Sequence, residues 1–326
     1  MPYDALLVVS FGGPEGPGDV IPFLENVLRG RNVPRERMLE VAQHYHHFGG
    51  KSPINDQCRA LVQAIEADLA AHGLRLPVYW GNRHWHPFLT DTVRRMAVGG
   101  LRRALAFVTS AFGSYSGCRQ YREDIDRARA QVGPAPPEID KLRPFHNRPA
   151  FIEAQIDRCR EAIRQAPTAE LVFTAHSIPL AMTQGSPYVE QLRETCGLVA
   201  AGLGCDRWRL VYQSRSGPPS QPWLGPDIAD WLREAAASGV REVVVVPIGF
   251  LSDHMEVLYD LDHEARCVAD GLGIRMVRAA TVGVHPRFIA MIRELILECV
   301  AGKRPEACPP ECCPAPNRTA GSLPRG

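Results

Sequence analysis

The stretch Leu171-Val172-Phe173-Thr174-Ala175-His176-Ser177-Ile178-Pro179 decides the fold. Its first five residues are apolar or β-branched and lack the in-out alternation of a half-exposed strand. That is the pattern of a strand buried on both faces of a parallel sheet. The run then breaks into a histidine, a serine and a proline. Similar short runs recur at Leu6–Ser10, Pro77–Trp80, Ala104–Ser110, Arg209–Tyr212 and Val243–Ile248. Amphipathic helical stretches lie between them, at 56–72, 88–99, 119–132, 150–165, 188–203, 227–238, 256–271 and 286–300. This alternation predicts an α/β protein built from βαβ units. The chain reads as two similar Rossmann-like open parallel-sheet domains with a cleft between them, over 1–148 and 149–298. The Pro-rich stretch Gly133–Pro149 divides them, and a Cys/Pro-rich tail follows over 299–326.

A length of 326 residues accommodates two such cores. The net charge of +1 lacks the basic excess of a nucleic-acid binder. No apolar run reaches the length of a transmembrane helix. The N-terminus, Met1-Pro2-Tyr3-Asp4-Ala5-Leu6-Leu7-Val8-Val9-Ser10, has no basic segment before its apolar run, so it reads as a first strand and not a signal peptide. The compartment is therefore expected to be the reducing cytoplasm, where a disulfide scaffold is out of place. Of the ten cysteines, Cys299, Cys308, Cys312 and Cys313 cluster at the C-terminal end, which points to metal.

Ligands of open parallel sheets bind beyond the carboxyl ends of the strands. Polar, aromatic and glycine residues collect there: Ser10-Phe11-Gly12-Gly13-Pro14, Gly81-Asn82-Arg83-His84-Trp85, Ser110 to Tyr115, Ala175-His176-Ser177, Gln213-Ser214-Arg215 and Gly249 to Glu256. The neutral imidazole of His176 can bind a metal or take a proton near neutral pH, although a histidine that merely hydrogen-bonds a strand end is the plainer reading. Glu256, Asp260 and Glu264, each four apart, share one helix face. Asp253, three before Glu256, resembles a capping box, so a well-capped helix with a solvated acidic face is again the plainer reading. Against it, a row of carboxylates leading away from a buried strand end is a natural path for a cation or for protons.

Three segments carry a resemblance. Thr174-Ala175-His176-Ser177-Ile178-Pro179, then Gln213-Ser214-Arg215 with Pro222-Trp223-Leu224-Gly225-Pro226, then Ser252-Asp253-His254-Met255-Glu256-Val257-Leu258-Tyr259-Asp260 resemble the successive signatures of the ferrochelatases. Phe11-Gly12-Gly13-Pro14-Glu15, Gly49-Gly50-Lys51-Ser52-Pro53-Ile54 and Gly81-Asn82-Arg83 fit the same family, over about residues 3 to 298. The resemblance implies insertion of ferrous iron into a porphyrin. It makes His176 and Glu256 the central catalytic and metal-binding pair, on opposite faces of the ring, with Asp260 and Glu264 continuing outward. It also implies porphyrin contacts from Phe11, Arg29, Arg31, Ser52, Arg83 and Tyr115. Some bacterial members have tyrosine where Phe11 stands; phenylalanine cannot ligate, so Phe11 is expected to pack as a wall for the ring.

Arg29-Gly30-Arg31 lies where membrane-bound animal relatives carry a long apolar lip. A short basic rim suits the four propionates of coproporphyrin III, since arginine grips carboxylates by paired hydrogen bonds. The segment Pro17–Pro53 also resembles the actinobacterial type, which implies the same substrate, coproporphyrin III giving coprohaem in haem biosynthesis. The alternatives are a protoporphyrin IX ferrochelatase and a non-catalytic haem or porphyrin carrier. Transient contact with neighbouring haem-pathway enzymes is a further expectation. In the tail, the resemblance implies a 2Fe–2S cluster, whose four thiolates would come from Cys118, Cys299, Cys308, Cys312 and Cys313, with Cys118 as the internal ligand.

Overall fold

The computed structural model describes residues 1–30, 33–217, 220–303 and 311–315. Among them, two four-stranded parallel sheets form. The first contains β1 (Ala5–Ser10), β2 (Val78–Asn82), β3 (Arg103–Val108) and β4 (Glu138–Lys141), in the spatial order β2-β1-β3-β4. The second contains β5 (Glu170–His176), β6 (Trp208–Gln213), β7 (Glu242–Val246) and β8 (Arg275–Arg278), in the order β6-β5-β7-β8. The two sheets thus share one topology. In each, the chain adds a strand on one side of the first and then crosses to the other. The crevice where the direction of winding reverses lies between β1 and β3 in one sheet, and between β5 and β7 in the other.

The helices of the first half are α1 (Val20–Leu28), α2 (Arg35–His47), α3 (Ile54–Ala71), α4 (Leu89–Val98) and α5 (Gln120–Val132). The second half carries α6 (Pro149–Ile163), α7 (Leu180–Thr183), α8 (Tyr188–Leu203), α9 (Ile228–Ala237), α10 (Met255–Val257), α11 (Arg266–Gly271) and α12 (Pro286–Val300). The wide-turned helices Tyr115–Arg119 and Leu258–Ala265 are of the π type. Among the described residues, no helix is long and apolar enough to cross a membrane.

Strand β1 is buried along its whole length, and β3, β5 and β7 along all but their end residues, because helices cover both faces. One apolar cluster runs through both halves. It joins Leu6, Leu105 and Phe107 of the first sheet to Leu171, Phe173 and Val244 of the second. Helix α12 binds the halves together by packing on both α3 and α6. Its Phe288 meets Phe107, Phe145 and Phe151 at centroid separations of 5.9–6.0 Å, the spacing of favourable ring pairs. Helices α1 and α2 form a separate small cluster around Phe23, Leu24 and Met38, with Phe11 and Trp85 against it.

Two edge strands depart from the sequence reading. The stretch 133–149, read as a divider, contains β4, which hydrogen-bonds beside β3. Strand β8 completes the second sheet. The single helix expected over 256–271 is instead α10, a π-helix and α11 in succession.

Candidate active site

His176 is the last residue of β5, paired in register with Gln213 of β6. Glu256 follows β7. Both therefore stand at the reversal crevice of the second sheet, where ligands of such sheets bind. The loop leaving β7 lies flush against β5: Gly249 N–H donates to the Thr174 carbonyl at 3.0 Å. A Cβ on Gly249 would sit 2.8 Å from Ala175 Cα, so only glycine allows the approach.

His176 Nε2 lies 3.5 Å from Glu256 Oε1, with the two side chains 31% and 48% exposed. The resemblance implies opposite faces of the ring for these two groups. A flat ring between the two groups needs a van der Waals contact on each side, or about 7 Å in all. The two groups stand at half that separation.

The imidazole is oriented from behind. Its Nδ1 is hydrogen-bonded to the Ser177 carbonyl, which can only accept, so Nδ1 carries a proton and Nε2 faces Glu256. The Tyr188 hydroxyl donates to the His176 carbonyl at 3.0 Å. Partial loss of hydration pulls the His176 pKa down, but the charge and hydrogen bond of Glu256, with help from the Ser177 carbonyl and Asp260, outweigh it and raise it. Loss of hydration raises the Glu256 pKa, but the charge and hydrogen bond of His176, with His254, hold it below the usual carboxylate range. Both shifts favour the imidazolium–carboxylate form of the pair.

Glu256 is fixed through its backbone. Gln213 Nε2 donates to the Glu256 carbonyl at 2.6 Å, and His254 Nδ1 accepts the Glu256 N–H at 3.2 Å. Asp260, on the π-helix, accepts the Ser214 hydroxyl. Loss of hydration pushes the Asp260 pKa up, the Ser214 hydrogen bond opposes this, and the Glu256 and Glu264 charges add to the rise, leaving it at about 7. Glu264 is exposed, and its pKa is raised by loss of hydration and by Asp227. The row thus has exposed carboxylates at both ends, Glu256 and Glu264, with the half-buried Asp260 between them.

The first half closes over this row. His44 of α2 stacks on Tyr259 with a centroid separation of 3.7 Å, and His47 meets His263 at 4.4 Å. Tyr45 is close enough to Glu256 and Asp260 for their charges to add to the raising of its pKa by burial. Tyr45 and Tyr188 had no place in the sequence reading, and Ser214 and His254 entered it only inside the quoted motifs, with no role of their own. A histidine- and tyrosine-rich run ending α2 was the one available signal.

The other expected residues are distributed around the two sheets. Phe11 follows β1 and lies 4.5 Å from the His84 ring. Arg29 ends α1, exposed, with its guanidinium on Asn26 Oδ1 at 2.6 Å. Arg31 lies outside the described residues. Ser52 is buried, and its hydroxyl oxygen accepts the Ile54 N–H at 3.5 Å. Arg83 is committed to the interior: its side chain is 2% exposed, pairs with Asp124 at 2.5 Å and stacks on Tyr121. Tyr115 donates to Glu123 Oε2 at 3.2 Å.

Cys118 sits in the π-turn after β3, where Gly117 passes so close that a Cβ would meet Phe112 O at 2.9 Å. Cys118, Cys312 and Cys313 line one small, shallow pocket, together with Arg119, Arg122 and Lys141. Cys312 Sγ and Cys313 Sγ are 3.6 Å apart. Cys313 N–H docks the tail on the Gly185 carbonyl at 3.1 Å. Cys299 packs in the shared core, and Cys308 lies outside the described residues. Among the described residues, no group of three or more histidine, cysteine, aspartate or glutamate side chains is gathered tightly enough to hold a metal ion. The three thiols share the pocket wall without meeting at one point.

The family described as ferrochelatase matches residues 3–299. A ferrochelatase of Rhodopirellula baltica is 52% identical over 96% of this chain and 93% of its own length. The coproporphyrin III ferrochelatase of Streptomyces coelicolor is 51% identical over 96% of this chain and 94% of its own. That of Nocardia farcinica is 52% identical over 94% and 90%. Among solved structures, the sirohydrochlorin chelatase SirB of Bacillus subtilis subspecies spizizenii, in complex with cobalt, superposes with a TM-score of 0.56. The alignment is at 13% identity and covers 91% of this chain and 95% of that one, a likeness of fold.

Proposed function

The chain belongs to the ferrochelatase family, and from that premise we propose that its site inserts ferrous iron into coproporphyrin III to give coprohaem. The observation that carries this reading is the His176–Glu256 pair at the reversal crevice, backed by a carboxylate row. The names of the Streptomyces and Nocardia relatives support the choice of porphyrin.

Metallation takes one Fe²⁺ and releases the two pyrrole protons, so the site needs metal ligands and proton acceptors in one place. Imidazole and carboxylate both suit ferrous iron. The Ser177 carbonyl holds the proton on Nδ1 and leaves Nε2 as the donor atom toward the metal. His176 must first lose its Nε2 proton, and Asp260, balanced near neutral pH, is placed to take up protons from the pair and pass them toward Glu264. Phe11 serves as packing for the ring. Arg29 at the end of α1, and Arg31, outside the described residues, are assigned to the propionates.

For the tail we propose a 2Fe–2S cluster at Cys118, whose binding draws together thiols that stand apart along one wall. Three thiols and three cations line one pocket, and an all-thiolate cluster is anionic. Cys118, Cys312 and Cys313 would hold it, with Cys308 as the fourth ligand, and Cys299 is left to the core. Bound there, the cluster supplies folding energy to the tail.

The test is anaerobic Fe²⁺ insertion by the purified chain with coproporphyrin III and protoporphyrin IX in parallel. Faster turnover of coproporphyrin III is expected. Preference for protoporphyrin IX overturns the choice of substrate. Tight haem retention without turnover of either makes the protein a carrier.

A further inference from the structure

Arg278 ends the edge strand β8, and its guanidinium holds two carboxylates at once. Nε and Nη2 grip the Asp262 oxygens at 2.6 and 2.9 Å, the bidentate fork that arginine alone among side chains provides. Nη1 reaches Asp253 Oδ1 at 3.1 Å, and Thr281 Oγ1 donates to the same oxygen at 3.3 Å. The Arg278 side chain is only 14% exposed.

The two carboxylates bracket the residues that matter. Asp253 precedes Glu256 by three positions, and Asp262 follows Asp260 by two. The segment between them contains His254, Glu256 and Asp260. It turns from α10 into a π-helix, a geometry that is rare and usually confined to functional sites. Such a segment needs outside support to hold its side chains in register. The support is rigid at its base, since Ala279 N–H donates to Val245 O of β7 at 2.9 Å. A second restraint ties the Asp253 N–H to Gln57 Oε1 of α3 at 2.9 Å, across from the first half.

We propose that Arg278 is a positioning residue for iron insertion: by stapling Asp253 to Asp262 it sets where the Glu256 and Asp260 carboxylates stand relative to His176. Its guanidinium is occupied by Asp253 and Asp262. This inference rests on the reading that Glu256 takes part in metallation. Displacing a reacting group by about an ångström costs up to about a hundredfold in rate, whereas porphyrin contacts made elsewhere are spared. The staple thus controls the metal side of the reaction and leaves the ring side alone.

The test compares Arg278→Gln, Arg278→Lys, Asp262→Asn and Glu256→Gln in steady-state Fe²⁺ insertion, with hydrogen exchange over 254–262. Arg278→Gln is expected to lower kcat by about tenfold or more and raise the KM for iron, with the KM for porphyrin within about twofold of the parent. Arg278→Lys, which keeps the charge and loses the fork, falls between the two. Asp262→Asn moves the same parameters in the same direction, and it decides the matter if Arg278→Gln does not fold. Exchange over 254–262 rises in the variants while β5 and β7 stay protected. Folded variants at both positions with unchanged kcat and iron KM overturn the proposal, as does a loss spread equally over both substrates. A Glu256→Gln variant of full activity removes the premise and the proposal with it. A crippled Glu256→Gln beside normal Arg278 and Asp262 variants removes the proposal alone.

Discussion

The Ser214 hydroxyl donates to the Asp260 carboxylate while the serine backbone sits at φ 63°, in the left-handed region that non-glycine residues rarely occupy. Such conformations persist where the surroundings over-determine them. Here the hydrogen bond aims the loop after β6 at the π-helix, and it steadies the charged form of an acid that its surroundings otherwise keep protonated.

That conflict has a pH signature. The Asp260 pKa is about 7 in the folded chain and about 3.9 in an unfolded one. The folded state therefore binds the proton more tightly. The stability this confers is full below the unfolded value and is lost as pH rises through 7. Asp260→Asn cannot ionise. Its stability relative to the parent should rise between pH 5 and pH 8, read as the difference in urea midpoints. A difference that stays constant across that range would show that Asp260 is ordinary.

Removing the imidazole separates binding from chemistry. His176→Ala should bind coproporphyrin III with nearly unchanged affinity, followed by quenching of porphyrin fluorescence. Its iron-insertion rate should fall by a factor of about 100 or more, the usual range for a lost acid–base group or ligand. Near-normal turnover would take His176 out of the mechanism.

The cysteines divide by position. Cys118→Ser should abolish the thiolate–iron absorbance in the visible from protein purified without oxygen. Cys299→Ala, in the core, should leave it intact. The reverse pattern would transfer the internal ligand to α12.

Phe288 is fully buried against Phe107, Phe145 and Phe151. Phe288→Ala leaves a cavity in the shared core and should cost about 3–5 kcal/mol in chemical denaturation. A loss under about 1 kcal/mol would mean that the neighbouring rings collapse into the space.

What the sequence made legible follows burial. The central strands β1, β3, β5 and β7 are covered on both faces, and their runs of valine, leucine and alanine announce them. Strand β4, Glu138-Ile139-Asp140-Lys141, and β8, Arg275-Met276-Val277-Arg278, are edges. Each pairs on one side only and mixes charge with apolar residues, so neither carries that pattern. His176 was legible as the polar residue that ends a buried strand. Its distance from Glu256 was not, because strand order and loop path set it. The spacing of Val257, Leu261 and Ala265 fits an ordinary helix, and the widening to a π-helix has no sequence signature of its own. Arg83 was legible as a polar residue at a strand end, but its inward course toward Asp124 and Tyr121 depends on α5, far along the chain.

Helix α12, the last of the described helices, seals the first half as well as the second. On a ribosome, residues 1–148 emerge with Leu6, Leu61, Ile65 and Phe107 still uncovered, awaiting Phe288 and Ile292. The first sheet therefore stays uncovered until α12 has been made, and separating the two halves would leave each with an apolar face open to solvent.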